Sequence, residues 1–271
     1  MERAAALRAH LVSAGLAGTV ATTREKSLRR YRQFAARDPR ALLGLDPRAD
    51  WGVPRLLSLM ADGCGVSADP RHVSGPDRID PDRTVSALDA FAQRLAAAAG
   101  SRSPVLLGTG HPHRLLGFYA ALARALADAG CAVLTPARGH VLDLPTRFGA
   151  REHLLCYEHG VALVRGAGAG CAPGAPGAHT HSPLPLRTAL AAAARTGGPL
   201  PELVIGDHGW VCGAGELGID AIGPADTDDP ALFVGHAEGR VSVVVPLDDG
   251  LPPPRYAALT RYVLQRSGLS Q

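Results

Sequence analysis

Apolar positions follow two rhythms along the chain, and the change falls near Ser101-Arg-Ser-Pro104. Before it, hydrophobic residues recur at helical spacing. Leu7, Leu11 and Val12 predict an amphipathic helix over residues 1–16, closed by Gly15 and Gly18. Thr22 or Thr23 is placed to cap a second helix, Pro54 to Ala61 reads as another, and residues 80–96 read as a strong helix with Pro81 in its first turn. After the change, short apolar runs alternate with helical segments. Val105 to Gly108, Cys131 to Thr135, Leu154 to Tyr157, Val161 to Val164, Leu203 to Gly206, Ala221 to Ala225 and Val241 to Pro246 predict strands. Helices are predicted over residues 113–129, 184–195 and 256–267, and residues 228–238 begin with a turn and continue as a helix.

Strands that alternate with helices imply an α/β fold, with a mostly parallel sheet covered by helices on both faces. The expected organisation is a helical N-terminal region over residues 1–100 and an α/β sheet domain over 101–271, joined in one compact unit. The run Gly166-Ala-Gly-Ala-Gly-Cys-Ala-Pro-Gly-Ala-Pro-Gly-Ala178 is too rich in glycine to pack and is expected to be a mobile loop.

Composition narrows the function classes. The hydrophobic share of 46% suits a substantial core, and aromatics at 4% leave Leu, Val and Ala to fill it. The net charge is +3, carried almost wholly by arginine. Its one dense patch, Arg24-Glu-Lys-Ser-Leu-Arg-Arg-Tyr-Arg32, reads as a solvated helix face or an anion-binding surface. No long basic stripe with interleaved aromatics is present, so a nucleic-acid partner is not expected. No apolar run reaches the length of a membrane span, so no membrane partner is expected either. The five cysteines form no CxxC pair, which suits reduced thiols and a cytoplasmic location.

In open α/β sheets, ligands gather outside the carboxyl ends of the strands. Three predicted strands end in polar clusters: Gly108-Thr-Gly-His-Pro-His113, Asp207-His-Gly-Trp210 and Asp226-Thr-Asp-Asp229. A fourth cluster, His179-Thr-His-Ser182, opens a helix after the glycine-rich run. Parallel strands bring such ends to one edge, so the four are expected to converge on a small anionic guest. Gly108, Thr109 and Gly110 at a helix start could offer backbone amides to phosphate, with His113 and Arg24 beside them, or could form an ordinary tight turn. His179 and His181 have the HxH spacing that points both rings to one side of an extended segment, a common metal-ligand arrangement, and two exposed loop histidines are the plain alternative. Asp207 could be a ligand, a base or a turn cap. Asp226 is the better ligand of the acidic cluster, because Asp228 or Asp229 could cap the following helix. Trp210 could stack on a sugar or base ring or fill the core. His111 and His208, with Asp207, are the expected catalytic acid–base groups.

These segments, together with Ala21-Thr-Thr-Arg-Glu25, Met60-Ala-Asp-Gly-Cys-Gly-Val66, Glu158-His-Gly160, Ala225-Asp-Thr-Asp-Asp-Pro-Ala-Leu232 and Pro246-Leu-Asp-Asp249, resemble a family of actinobacterial phosphatases over nearly the whole chain. The chain departs from the family pattern at Lys26-Ser27, where the family has Asn-Asn, and at Asp228, where it has Asn. The resemblance implies hydrolysis of a phosphomonoester. The expectation is therefore a hydrolase acting on a small phosphorylated metabolite, helped by a divalent ion (Mg, Mn or Zn) on His179, His181, Asp207 and Asp226. A lyase or cyclase acting on a carboxylate, or a protein that binds a metabolite without turning it over, are the alternatives.

Overall fold

The computed structural model describes residues 2–146 and 149–269. The first residue of the predicted N-terminal helix lies outside them. The N-terminal part holds α1 (Glu2–Ser13), β1 (Gly18–Thr23), α2 (Arg24–Ala35), α3 (Pro39–Leu42), α4 (Val53–Gly63), β2 (Pro76–Ile79) and α5 (Pro81–Ser101). Thr23 caps α2 by accepting the Lys26 amide, and Asp80 caps α5 with Pro81 in its first turn. Helices fill most of this part, and two short strands interrupt them. β1 and β2 pair antiparallel as a separate two-stranded sheet. β1 consists of Gly-Thr-Val-Ala-Thr-Thr, with buried and exposed positions alternating, and its partner contains Pro76. Neither segment carries the apolar weight that marks a strand in isolation, and each is recognised only by meeting the other.

The main sheet follows from the second rhythm. Its strands are β3 (Val105–Gly108), β4 (Val141–Thr146), β5 (Gly149–Glu158), β6 (Val161–Gly166), β7 (Leu203–Gly206), β8 (Asp220–Ala225) and β9 (Val243–Pro246). Their order is β4-β5-β6-β3-β7-β8-β9. The run from β6 to β9 is parallel, and β4, β5 and β6 pair antiparallel at one edge. Every residue of β3 and β7 is buried, which explains why both read as unbroken apolar runs rather than as alternation. The connecting helices are α6 (Pro112–Asp128), α7 (Leu184–Arg195), α8 (His208–Glu216), α9 (Pro230–Ala237) and α10 (Ala257–Arg266). None among the described residues is long and apolar enough to cross a membrane.

Two sequence expectations need correction. The segment Cys131 to Thr135 is not a strand. Only Val133 bridges to Val105, because β6 takes the same edge of β3 from Leu107 onward and leaves room for a single residue. The cysteines are not all reduced: Cys156 on β5 and Cys171 in the glycine-rich run form a disulfide, and Cys64, Cys131 and Cys212 stay free and buried. The glycine-rich run is also tied to β6, where the Arg165 guanidinium donates to the Ala172 carbonyl and the Ala178 amide to the Val164 carbonyl.

Candidate active site

The parallel strands β3, β7, β8 and β9 deliver four polar turns to one edge. After β3 the chain turns through Thr109 and Gly110, and His111 precedes α6. After β7, Asp207 and His208 start α8. After β8 come Asp226 to Asp229, and after β9 come Asp248 and Asp249. The segment His179 to Ser182 lies across the first two turns, with the Thr180 amide donating to the Gly110 carbonyl at 3.0 Å. This approach requires glycine, since a Cβ at Gly110 would sit 2.1 Å from the Thr180 carbonyl oxygen and 3.1 Å from His208 Nδ1. His208 has φ +43°, a left-handed backbone that a side chain adopts only when its surroundings hold it there.

The result is a cleft of about 350 Å³. Four imidazoles pack together on one wall. The rings of His111 and His179 stack at 4.3 Å, those of His181 and His208 stack at 4.0 Å, and His111 and His208 lie 4.5 Å apart. The facing wall is acidic. His208 Nε2 lies 3.1 Å from Asp229 Oδ2 and 3.4 Å from Asp249 Oδ2, and His111 Nδ1 lies 3.5 Å from the same Asp249 oxygen. Asp226 accepts the Thr22 hydroxyl and, at 2.6 Å, the Thr227 amide. Over the rim, Lys26 and Arg30 sit one turn apart on α2 and pair with Asp228 at 3.1 and 3.7 Å.

Proton occupancy follows from burial and charge. Burial works against a charged His208, but the Asp229 and Asp249 carboxylates outweigh it and hold its pKa well above the usual histidine value. Burial and the charge on His208 push His111 and His181 well below that value and His179 down to about 4. Three rings therefore remain neutral, with lone pairs free. Burial also raises Asp207, Asp226, Asp228 and Asp249. Asp226 lies well above the usual carboxylate range, with Asp228 and Asp249 adding repulsion. Asp249 is pushed up to about 7, although His208 pulls the other way. Burial of Asp229 is overridden by the charge on His208, and its pKa falls.

The structure brings His111, His179, His181, His208 and Asp226 to the cleft. Several other expected residues lie elsewhere. Asp207 is fully buried behind the cleft, where it accepts the Thr109 hydroxyl at 2.9 Å and the Gly110 amide at 2.5 Å. The amides of the Gly108–Gly110 turn are therefore committed: Thr109 donates to the Ala162 carbonyl, Gly110 to Asp207 and His111 to the Thr109 hydroxyl. They are not available to cradle a phosphate. Arg24 is fully buried, donating to the Ser67 and His72 carbonyls and facing Asp77 at 3.8 Å, so it supports the fold below the site. Trp210 is a core residue packed against Gly108, where a Cβ would meet the ring at 2.3 Å. His113 is exposed beyond the first residue of α6, beside Glu158 and Arg165.

Sequence reasoning missed Asp229, Asp249, Lys26 and Arg30 as members of the site. The strand-end rule reaches Asp249, since β9 ends three residues earlier at Pro246. Lys26 carries a second signal, because it is the one lysine in a chain whose lysines and arginines together number 28.

Among the described residues, two groups could hold a metal ion: His111, His179, His181 and His208, and His208 with Asp229 and Asp249. His111 Nδ1 and Asp249 Oδ2 are buried without hydrogen-bond partners, as atoms awaiting a ligand would be. Imidazole nitrogens suit Zn and Mn better than Mg, which prefers an all-oxygen shell.

Fold and cleft together define an α/β protein with a small polar pocket built from imidazoles, carboxylates and two rim cations. The chain belongs to the family described as Phosphatase, whose pattern it matches over residues 2–271. It is 41% identical over 270 residues to Phosphatase SCO2771 of Streptomyces coelicolor, covering 98% of this chain and 96% of that protein. The family resemblance read from the sequence is thereby borne out, and the activity class that the family names is hydrolysis of phosphate esters.

Proposed function

We propose that the chain is a metal-assisted phosphatase acting on small phosphomonoesters. The observation that carries this reading is the meeting of four imidazoles and two carboxylates, Asp229 and Asp249, in one cleft of about 350 Å³. That volume lies at the lower end of small-molecule pockets and suits a metabolite rather than a folded phosphoprotein.

A divalent ion, Zn or Mn in preference to Mg, binds among His111, His179, His181, His208, Asp229 and Asp249. When bound, it acts as a Lewis acid on the phosphoryl group and makes a water-derived nucleophile available at neutral pH. The chain's own residues supply the rest. Lys26 and Arg30 hold the non-reacting phosphoryl oxygens, the task first expected of Arg24 and the Gly108–Gly110 turn. Asp228 preorganises both cations, and their charge-assisted bonds to phosphate replace those to the carboxylate. Asp229 orients His208, and Asp207 braces the Thr109–Gly110 turn that carries His111. Asp226, with its raised pKa, keeps a proton close to the leaving oxygen.

The test is inorganic phosphate release from a panel of sugar phosphates and nucleotides with Zn, Mn or Mg, for the wild type and His181→Ala. Turnover that chelator abolishes, Mn or Zn restores and His181→Ala lacks is the expected result. No phosphate from any compound with any ion, or turnover indifferent to chelator, would end this reading.

A further inference from the structure

The six candidate ligand side chains of the cleft do not gather around one point. Those with ligand atoms within 4.8 Å of one another fall into two groups, four imidazoles in one and His208 with Asp229 and Asp249 in the other, overlapping only at His208. Ligands of one Zn or Mn ion stand about 2.0–2.2 Å from it, so they span little more than about 4 Å. His208 turns Nε2 to the two carboxylates, 3.1 and 3.4 Å away, and its Nδ1 is backed by Gly110, so its available nitrogen belongs to the acidic group. That leaves His111, His179 and His181 as a three-imidazole set.

We propose that the cleft is built for two transition-metal ions: one on His111, His179 and His181, the other on His208, Asp229 and Asp249. This deepens the metal-assisted reading and rests on it. Each set has three protein ligands, the number that catalytic zinc sites use when they leave a position open for water or substrate. Asp249 stands between the sets. Its Oδ2 is buried, lacks a hydrogen-bond partner, and lies 3.5 Å from His111 Nδ1 and 3.4 Å from His208 Nε2, which is where a carboxylate bridging two ions belongs. Two ions on one phosphoryl group clamp the attacking and leaving oxygens together, and the open positions of both sets face the same cleft. Lys26 and Arg30 lie over its rim and leave those positions to the reacting group.

The test is metal stoichiometry. Protein loaded with Mn(II) and freed of excess ion is assayed by elemental analysis and by electron paramagnetic resonance. The expected result is two ions per chain and a spin-coupled pair signal. Asp229→Asn should lower the ratio from two to one and leave a simple six-line signal, with a melting curve confirming that the variant folds. The unmodified protein's spectrum decides the matter even if the variant does not fold. One ion per chain, or two uncoupled ions indifferent to Asp229→Asn, overturns the paired site while leaving metal-assisted hydrolysis standing. No bound ion, with turnover undiminished by chelator, overturns both.

Discussion

The Asp207 carboxylate takes the Gly110 amide at 2.5 Å, joining the end of β7 to the end of β3 beneath the cleft. Asp207 therefore serves as a brace rather than a ligand. Asp207→Ala leaves the Gly110 amide buried without an acceptor, a loss of about 1–3 kcal/mol. It also loosens the turn that carries His111, so metal affinity should fall roughly 10–100-fold, as for other groups that support ligands. Asp207→Asn retains one acceptor and should fall between Ala and wild type. Denaturant melts with metal titrations check both effects.

Arg24 and Lys26 are two residues apart and have opposite fates. Arg24→Met leaves Asp77 buried without its ion pair and should cost about 3–5 kcal/mol. Turnover per folded molecule should stay close to wild type. Lys26→Ala, at a half-exposed position, should leave the melting point nearly unchanged and raise KM, because it removes a phosphate contact. Steady-state kinetics on folded fractions of both variants distinguish support from contact. A drop in kcat for Arg24→Met at full folding would return it to the site.

The glycine under Thr180 admits no methyl. Gly110→Ala should cost at least about 1–3 kcal/mol through overpacking, and more if the His179–Ser182 segment has to lift. If it lifts, metal content should fall along with stability. Elemental analysis and melting of the same sample show whether the two losses go together.

The pH response should differ between metal-free and metal-loaded protein. In the metal-free chain, His208 and Asp249 hold protons more tightly than they do when unfolded, Asp249 titrating near 7. A group whose pKa rises on folding stabilises below its unfolded value and loses that contribution as pH climbs through the folded one. In metal-free protein the stability from Asp249 is therefore lost as pH rises from about 4 to about 7, and that from His208 above its ordinary value, while the lowered His111, His179 and His181 act the other way and add stability as pH climbs toward the unfolded histidine value. The lowered value of Asp229 acts only in acid, below its unfolded pKa. A cation has to displace the same protons, so its apparent affinity should rise over this range and the loaded protein should gain stability. Melting points of chelated and Mn-loaded protein from pH 5 to 8 test whether the gap between them widens. Calorimetry in buffers of different ionisation enthalpy counts the protons released.

How much of this was legible depended on whether the signal was local. β3 and β7 announce themselves, since strands buried on all sides carry unbroken Val, Leu and Ile, and the strand-end rule then led to His111, His208 and Asp226. The HxH pair at His179 and His181 also lies on the cleft. What failed were statements about partners. Whether the Gly110 amide is free depends on Asp207, 97 residues away. Whether Arg24 meets solvent depends on Ser67 and His72. The pairing of β1 with β2 and the union of Cys156 with Cys171 are likewise properties of two distant segments, and spacing along one of them does not carry the information.

The three turns pressed together at Gly110 have one further consequence. His111, the His179–His181 pair and His208 belong to stretches that meet only when the whole carboxyl edge has closed. A nascent chain thus exposes only short, weak imidazole pairs, such as His179 with His181, to the ions around it. Tight capture waits on complete assembly, so a filled cleft doubles as a certificate that the molecule has finished folding.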